Sequence, residues 1–434
     1  MEGHHLPTAC STPSTSSEKT YPNGVVDLPE RSTTERLFYA FLRSGFSLCF
    51  PLVDRVLFQD TLRLAYSTPD DPSDLEYIGA RACVFAFVAI TVFMLMFYEG
   101  HCGNIDAASM YHAVACRTVF ALGGHTIVPP SPGGERELSP QERHDSHVRM
   151  IFWLCYGFDK DIALRSGQPP IISDDFCDLT LPEGYPEGVF GARRDHYTPE
   201  DSPTPFLPGD LRLALLKSKA VKALYSAASL RKSDAELLRT IRELDEELER
   251  WRASIPEDFA PALSVRRDVK LVGDLNKSSN MLHIELHLDY HYLLNIIHCA
   301  SGRCVVDWNG PDSDKSFGVQ SSLELSVTAS RSTIIYLSAA AHRLAGEAFW
   351  LFIFYPVSAL MSLFFNILRN PHHEYAVHDV ELIISAVDII RSMPMRRVTA
   401  RETAYLQRMD VFLVELSRLA RCAIDKRRGE QTGV

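Results

Sequence analysis

Apolar residues recur along this chain at steps of three and four, the spacing that lines one side of an α-helix. The clearest case is 234–254, where Leu237, Ile241, Leu244, Leu248 and Trp251 share a face and Glu246 and Arg250 are spaced to pair. The heptad lasts about two repeats, too few for a coiled coil. The stripe therefore predicts core packing rather than a dimer seam. Helical periodicity begins at Thr33, with Leu37, Phe41, Leu48 and Leu52 on the apolar side; Pro51 breaks it and 56–66 resumes it. The loop 68–74 ends in Ser73 or Asp74, either of which suits a helix N-cap. Further helices are predicted over 106–122 (with Met110, Val114, Val119 and Leu122), and through Val148, Ile151, Phe152, Leu154, Cys155 and Phe158. Ser139, Pro140 and Glu142 give the second of these a capping-box start, and Gly167, Pro169 and Pro170 stop it. The second half predicts helices over 276–298, 323–345, 348–368, 377–391 and 399–421.

Between the helices, 125–145, 182–209 and 299–316 are loop-like. Strand-like alternation is scarce, and no repeat of 20–50 residues is visible. The pattern predicts an all-α fold, a large multi-helix domain with a disordered N-terminal tail. Residues 1–30 are that tail: small, polar, interrupted by Pro22 and Pro29, and lacking the apolar run of a secretory signal.

Two stretches carry no charge, 82–98 and 348–368. The second is long enough to cross a bilayer, which takes about 20 apolar residues. An integral membrane protein is thus one reading. The other is a helix at the centre of a large soluble helical protein, which is also apolar all round.

Composition narrows the choice. With 434 residues, 46% hydrophobic and 23% charged, the chain can bury a large core. Its net charge of −11 makes it a poor grip on polyanionic duplex DNA. One stretch departs from this: 211–233 has no acid and carries Arg212, Lys217, Lys219, Lys222, Arg231 and Lys232. A solvated helix face is expected there rather than a nucleic-acid patch. The ten cysteines are scattered, and the closest pair is Cys299 and Cys304. Neither zinc-finger spacing nor a disulfide framework results, and Cys49, Cys83 and Cys155 read as buried thiols.

Two constellations could carry chemistry. His283, His287 and His291 line one helix face, as zinc-binding histidines do. Glu285, however, points about 200° away from His283, so a metalloprotease base is misplaced. The three remain a weak metal candidate against a plain buried or polar face. Asp159, Asp161, Asp174, Asp175 and Asp178 cluster around a tight turn. They suit acid–base work or Mg²⁺, or else cap turns and pair with a base such as Arg165. No catalytic glycine or serine motif is present, and no catalytic residue is assigned, although an unrecognised helical enzyme stays an alternative.

The segment 149–182 has a more specific pattern: Arg149, Phe152–Trp153, Tyr156, Asp159–Lys160, Gly167–Gln168–Pro169, Ile172, Asp174, Asp178 and Leu181–Pro182. It resembles the signature of the fungal-specific transcription factor domain, the middle homology region of zinc-binuclear-cluster regulators. Gln168 stands where that signature more often has Arg. Residues 46–58, 244–256 and 349–371 are similar to the domain's opening segment, its helix ending in Trp and Pro, and its late apolar helix. The resemblance favours a buried helix over a membrane span at 348–368 and gives the motif residues structural roles. It implies a regulatory domain over 31–425, with core motif 149–182, loop 183–209 and a second helical half 210–425. It further implies a nuclear transcription regulator of RNA polymerase II genes, with no membrane association. Implied partners are DNA, met directly or through a partner regulator, a homo- or heterodimer mate and a small-molecule effector. Relatives carry six cysteines in a zinc cluster near the N-terminus, whereas only Cys10 precedes Cys49 here. No cofactor is therefore expected, with zinc confined to relatives that keep the cluster.

Overall fold

The structure is a computed structural model. It describes residues 28–43, 53, 55–69, 71, 74–81, 83–84, 87, 105–128, 140–182, 185, 189–190, 210–269, 277–304, 313–344, 352–393 and 400–432. The predicted tail up to residue 27, most of the predicted helix 82–98, the N-cap Ser139 and most of loop 183–209 lie outside the described residues.

Among the described residues there are helices and turns and no strand. In chain order they are α1 (Arg31–Arg43), α2 (Arg55–Ala65), α3 (Ile105–Ala121), α4 (Pro140–Ser166), α5 (Leu211–Ala220) and α6 (Asp234–Ala253). The second half adds α7 (Lys277–Cys299), α8 (Ser313–Ala340), α9 (Phe354–Arg369), α10 (Ala376–Ser392) and α11 (Ala400–Thr432).

Local chemistry sets several boundaries. Ser233 caps α6 in a full capping box: its hydroxyl accepts from the Glu236 N–H, and Glu236 accepts from the Ser233 N–H. The Asp210 carboxylate caps α5 by accepting from Arg212 N–H. Gly167 ends α4 with φ of 70°, a left-handed conformation that costs glycine nothing, and its N–H bonds to Ala163 O. The end of α3 is tighter. Gly123 has φ of 78°, and a Cβ on Gly124 would sit 2.8 Å from a Val119 methyl.

Two apolar cores form, and α7 is shared between them. Met281, Ile284, Leu288 and Tyr292 face the larger core, built with α1–α4 and α8–α11. Leu282, Leu286, Tyr290, Leu293 and Ile297 face the smaller one, built with α5 and α6. All five stripe residues of α6, from Leu237 to Trp251, are buried in that second core. Glu246 and Arg250 differ from expectation, because Arg250 Nε donates to the Glu246 backbone carbonyl.

The late apolar helix is buried by protein. Tyr355, Pro356, Ala359, Leu360, Leu363, Phe364 and Ile367 of α9 are interior, and no described helix is long and apolar enough to cross a membrane. Three boundaries need correction. On α3, Met110 and Val114 are exposed, and Ala108, His112, Ala115, Cys116 and Val119 form the buried face instead. Helix α8 starts ten residues before the predicted 323, with Val319 and Ser322 buried and Ser322 bonded to His298 of α7. Helix α11 runs on through a charged end to Thr432.

Candidate functional site

The signature segment is the C-terminal half of α4 plus the turn that follows it. Along α4, Phe152, Trp153 and Tyr156 are all at most 1% exposed and their rings touch edge-on or tilted at 5.5–6.0 Å. Trp153 and Tyr156 pack in the larger core. Arg149 lies over Phe152 and Trp153 at 4.7 and 5.0 Å. Its guanidinium donates to Gly124 O, Asp178 O and Thr180 O, so one buried cation ties the end of α3 to the far side of the signature turn. Burial lowers its pKa, partly offset by the nearby Asp178 carboxylate.

Asp159 and Lys160 hold the turn from beneath. Asp159 accepts the N–H groups of Ile171 and Ile172 at 2.8 and 3.0 Å, and Lys160 donates to Ile172 O. Lys160 also pairs with Asp159 at 3.2 Å and with Asp174 at 3.3 Å. Burial opposes the Asp159 charge, but the His112 hydrogen bond, Lys160 and the Ile171 N–H outweigh it and hold its pKa down. Asp174 accepts from Tyr156 OH and Ser218 Oγ, joining the turn to α5. Asp178 accepts the Thr180 N–H in a turn of its own.

Asp159 does not meet Arg165, contrary to expectation. Six residues on a helix put the two on different faces, whereas Asp161 and Arg165, four apart, pair at 3.8 Å. Arg165 then stacks on Phe354 at 4.2 Å. Asp175 is exposed and pairs with Lys222 at 3.5 Å rather than capping a turn.

The 211–233 stretch is a solvated face at Lys219, Lys222 and Arg231 but not at Lys217. Lys217 is buried between Asp161 and Asp289, 2.7 Å from each, and those carboxylates keep it charged against burial. Tyr355 OH donates to the second Asp289 oxygen. Arg212, Lys219 and Lys222 also pair with carboxylates, namely Asp210, Glu247 and Asp175. Lys217 thereby fastens α4, α5 and α7 through one ammonium, with α9 joined through Tyr355. Sequence reasoning missed this triad because its members lie far apart along the chain. The only signal was a lysine in an otherwise apolar run.

His283, His287 and His291 share a face of α7 as predicted, but they serve the core. His283 and His287 stack at 4.3 Å, and His287 stacks on Tyr336 at 4.5 Å. His283 Nδ1 bonds Tyr336 OH, His287 Nδ1 bonds His283 O, and His291 Nε2 donates to Ala262 O. The three do not bring one nitrogen each within 4.8 Å of one another. Burial pushes all three pKa values down, to about 4 for His283 and His291.

The arrangement is a buried clamp whose charges are matched by partners inside the protein. The same segment lies within a family match. Over residues 62–253 the chain matches the fungal specific transcription factor domain. Residues 62–253 are a fungal specific transcription factor domain. The chain is 34% identical over 348 residues to an ABC-transporter-regulating transcription factor of Aspergillus oryzae, and 32% identical over 348 residues to that of Aspergillus fumigatus. In both cases 77% of this chain and 36% of the relative are covered. A shorter likeness, 32% over 109 residues, is to a terrein cluster-specific transcription factor of Aspergillus terreus, covering 25% of this chain and 15% of that one. The chain thus spans little more than a third of the length of the first two relatives. No solved structure matches it.

Within 62–253, Arg149 and Asp159 hold backbone, Gly167 ends α4, and Asp174 joins the turn to α5.

Proposed function

We propose that the chain acts as a regulatory unit in the control of RNA polymerase II transcription, and works in the nucleus. The observation that carries this is the transcription factor domain at 62–253, together with 34% identity to a named transcription factor over most of the chain. The buried clamp supports it, because Lys160, Lys217 and Arg149 are enclosed by protein partners and hold helices together. Such a unit acts by changing how helices sit when a partner or effector binds. In this reading DNA is met directly or through a partner regulator, a second regulator chain is a dimer mate, and a small molecule is the effector. The chain is a regulator rather than an enzyme. Its target genes include transporter genes, by likeness to the two Aspergillus regulators.

The test is to image a fluorescently tagged full-length chain at native expression in its host. Concentration in the nucleus supports the reading. A rim at a membrane, or even signal in the cytoplasm with none in the nucleus, contradicts it.

A further inference from the structure

Two neighbouring helices each carry a pair of metal-ligating side chains four residues apart. His112 and Cys116 lie on α3, Cys155 and Asp159 on α4. Four residues is about one helical turn, so each pair points to one side of its helix. Helices α3 and α4 are packed together, and His112, Cys116 and Asp159 meet across that contact.

Three of the four are spaced as in a coordination shell. His112 Nε2 lies 3.3 Å from Cys116 Sγ and 3.4 Å from Asp159 Oδ1. One ligand atom from each of the three lies within 4.8 Å of the others. An ion with metal–nitrogen and metal–sulfur bonds of about 2.0 and 2.3 Å sets tetrahedral edges of about 3.5 Å between those atoms. Cys155 lies one turn before Asp159 on α4, next to Cys116 but outside the set of three whose ligand atoms all lie within 4.8 Å, so its thiol has to close in as the fourth ligand. All four side chains are interior, none more than 2% exposed. Other polar contacts do not use up the set. Asp159 gives one lone pair of Oδ1 to Ile171 N–H and faces His112 with the other. His112 Nδ1 has no hydrogen-bond partner among the described residues, so the ring is held through Nε2 alone.

We propose that His112, Cys116, Cys155 and Asp159 form a buried structural zinc site that ties α3 to α4 beneath the signature turn. One imidazole, two thiols and one carboxylate are a borderline-soft set that suits zinc better than magnesium or calcium. Four protein ligands leave no open position, so the role is structural rather than catalytic. On binding, both thiols release their protons to solvent, and His112 binds as the neutral ring, its one proton on Nδ1 and its Nε2 lone pair turned to the ion. Two thiolates and one carboxylate then carry three negative charges. The ion and Lys160, 3.2 Å from Asp159, balance them within the core. Outer contacts fix the carboxylate, since Ile171 and Ile172 donate backbone N–H groups to it. Through Asp159 the ion supports the turn that Arg149 and Lys160 clamp from either side.

This inference does not depend on the regulatory reading. Its test uses the full chain, purified without chelator, with metal quantified per chain after gel filtration. About one zinc per chain is expected, together with a thiolate-to-metal absorption band when cobalt(II) replaces it. Cys155→Ser and Cys116→Ser should each cut retained zinc at least about tenfold and weaken the cobalt band, whereas Cys304→Ser, outside the site, should keep both. Circular dichroism confirms that each variant is folded. Should Cys116→Ser not fold, Cys155→Ser and the cobalt spectrum of the unmodified chain decide. A folded chain that holds no zinc and takes up no cobalt(II) overturns the proposal. So does zinc retention unchanged by both cysteine substitutions.

Discussion

Lys217 and Trp153 show how differently single residues of this chain can be read. Trp153 announced itself: an aromatic pair beside Arg149, in a specific pattern, on a helix with an apolar face. The structure buries it at 1% exposure against Phe152 and Tyr156. Trp153→Ala should therefore cost about 3–5 kcal/mol in urea unfolding. A loss under about 1 kcal/mol would mean that the ring is dispensable to the core. Lys217 gave no such sign, because its carboxylates are supplied by other helices and only the fold brings them together. Lys217→Met leaves Asp289 as an uncompensated interior charge and Asp161 with Arg165 alone, so a loss of about 3–5 kcal/mol is expected. Adding Asp161→Asn and Asp289→Asn to that variant should restore part of the loss. No recovery would show that the lysine acts through its packing rather than its charge. The same limit explains Asp159, whose acidic cluster was legible while its partners were not. Helical phase decides between Asp159 and Asp161 as the partner of Arg165, and phase is read reliably only once the helix is placed.

Helices were legible wherever periodicity was strong and ends were chemically marked. Helix α6 is the best example, with five buried stripe residues and a capping box. Ser233→Ala removes the hydroxyl that accepts Glu236 N–H, and should destabilise the protein by about 1 kcal/mol. The effect is to be read as a shift in urea midpoint with unchanged slope. A shift of zero would mean that Glu236 alone secures that end. Weak periodicity misled at α3, where Met110 and Val114 looked like core and face outward. Their neighbours His112 and Cys116 are buried in their place, and a buried histidine reads as polar in any hydropathy pattern. The same blindness hid the contact between α3 and α4, although each helix displays its ligand pair at a spacing visible in the sequence. Helix α8 began earlier than expected because the mostly polar stretch before 323 gave no sign that Val319 and Ser322 are buried.

At the scale of the molecule, all-helical architecture followed from composition and pattern, and the two apolar stretches were the real ambiguity. For the second, the buried face of α9 resolves it: seven residues of that helix pack inside protein. The shared helix α7 was not foreseeable, because a helix buried on both sides shows little amphipathic contrast. Its three histidines give the whole molecule an acid sensitivity. Burial holds His283 and His291 at about 4 and His287 well below its ordinary value. Their unfolded counterparts titrate near about 6.5, so the unfolded chain gains protons first as pH falls. The stability they contribute is complete above that value and is lost as pH drops towards 4. Urea midpoints should thus decline from pH 6.5 to pH 5, before most carboxylates titrate, and His291→Gln should flatten the slope. A flat profile in the unmodified chain would contradict the buried, neutral assignment.

The central claim is that this helical clamp serves transcription, and transcript profiling tests it most directly. Three strains are compared: the host, a deletion of the gene, and a strain in which the chromosomal copy carries Lys217→Met. The account predicts that a defined set of transcripts changes on deletion, and that Lys217→Met reproduces the same set in part or in full. Transcripts that are indistinguishable between host and deletion, under conditions where the protein is present, would contradict it.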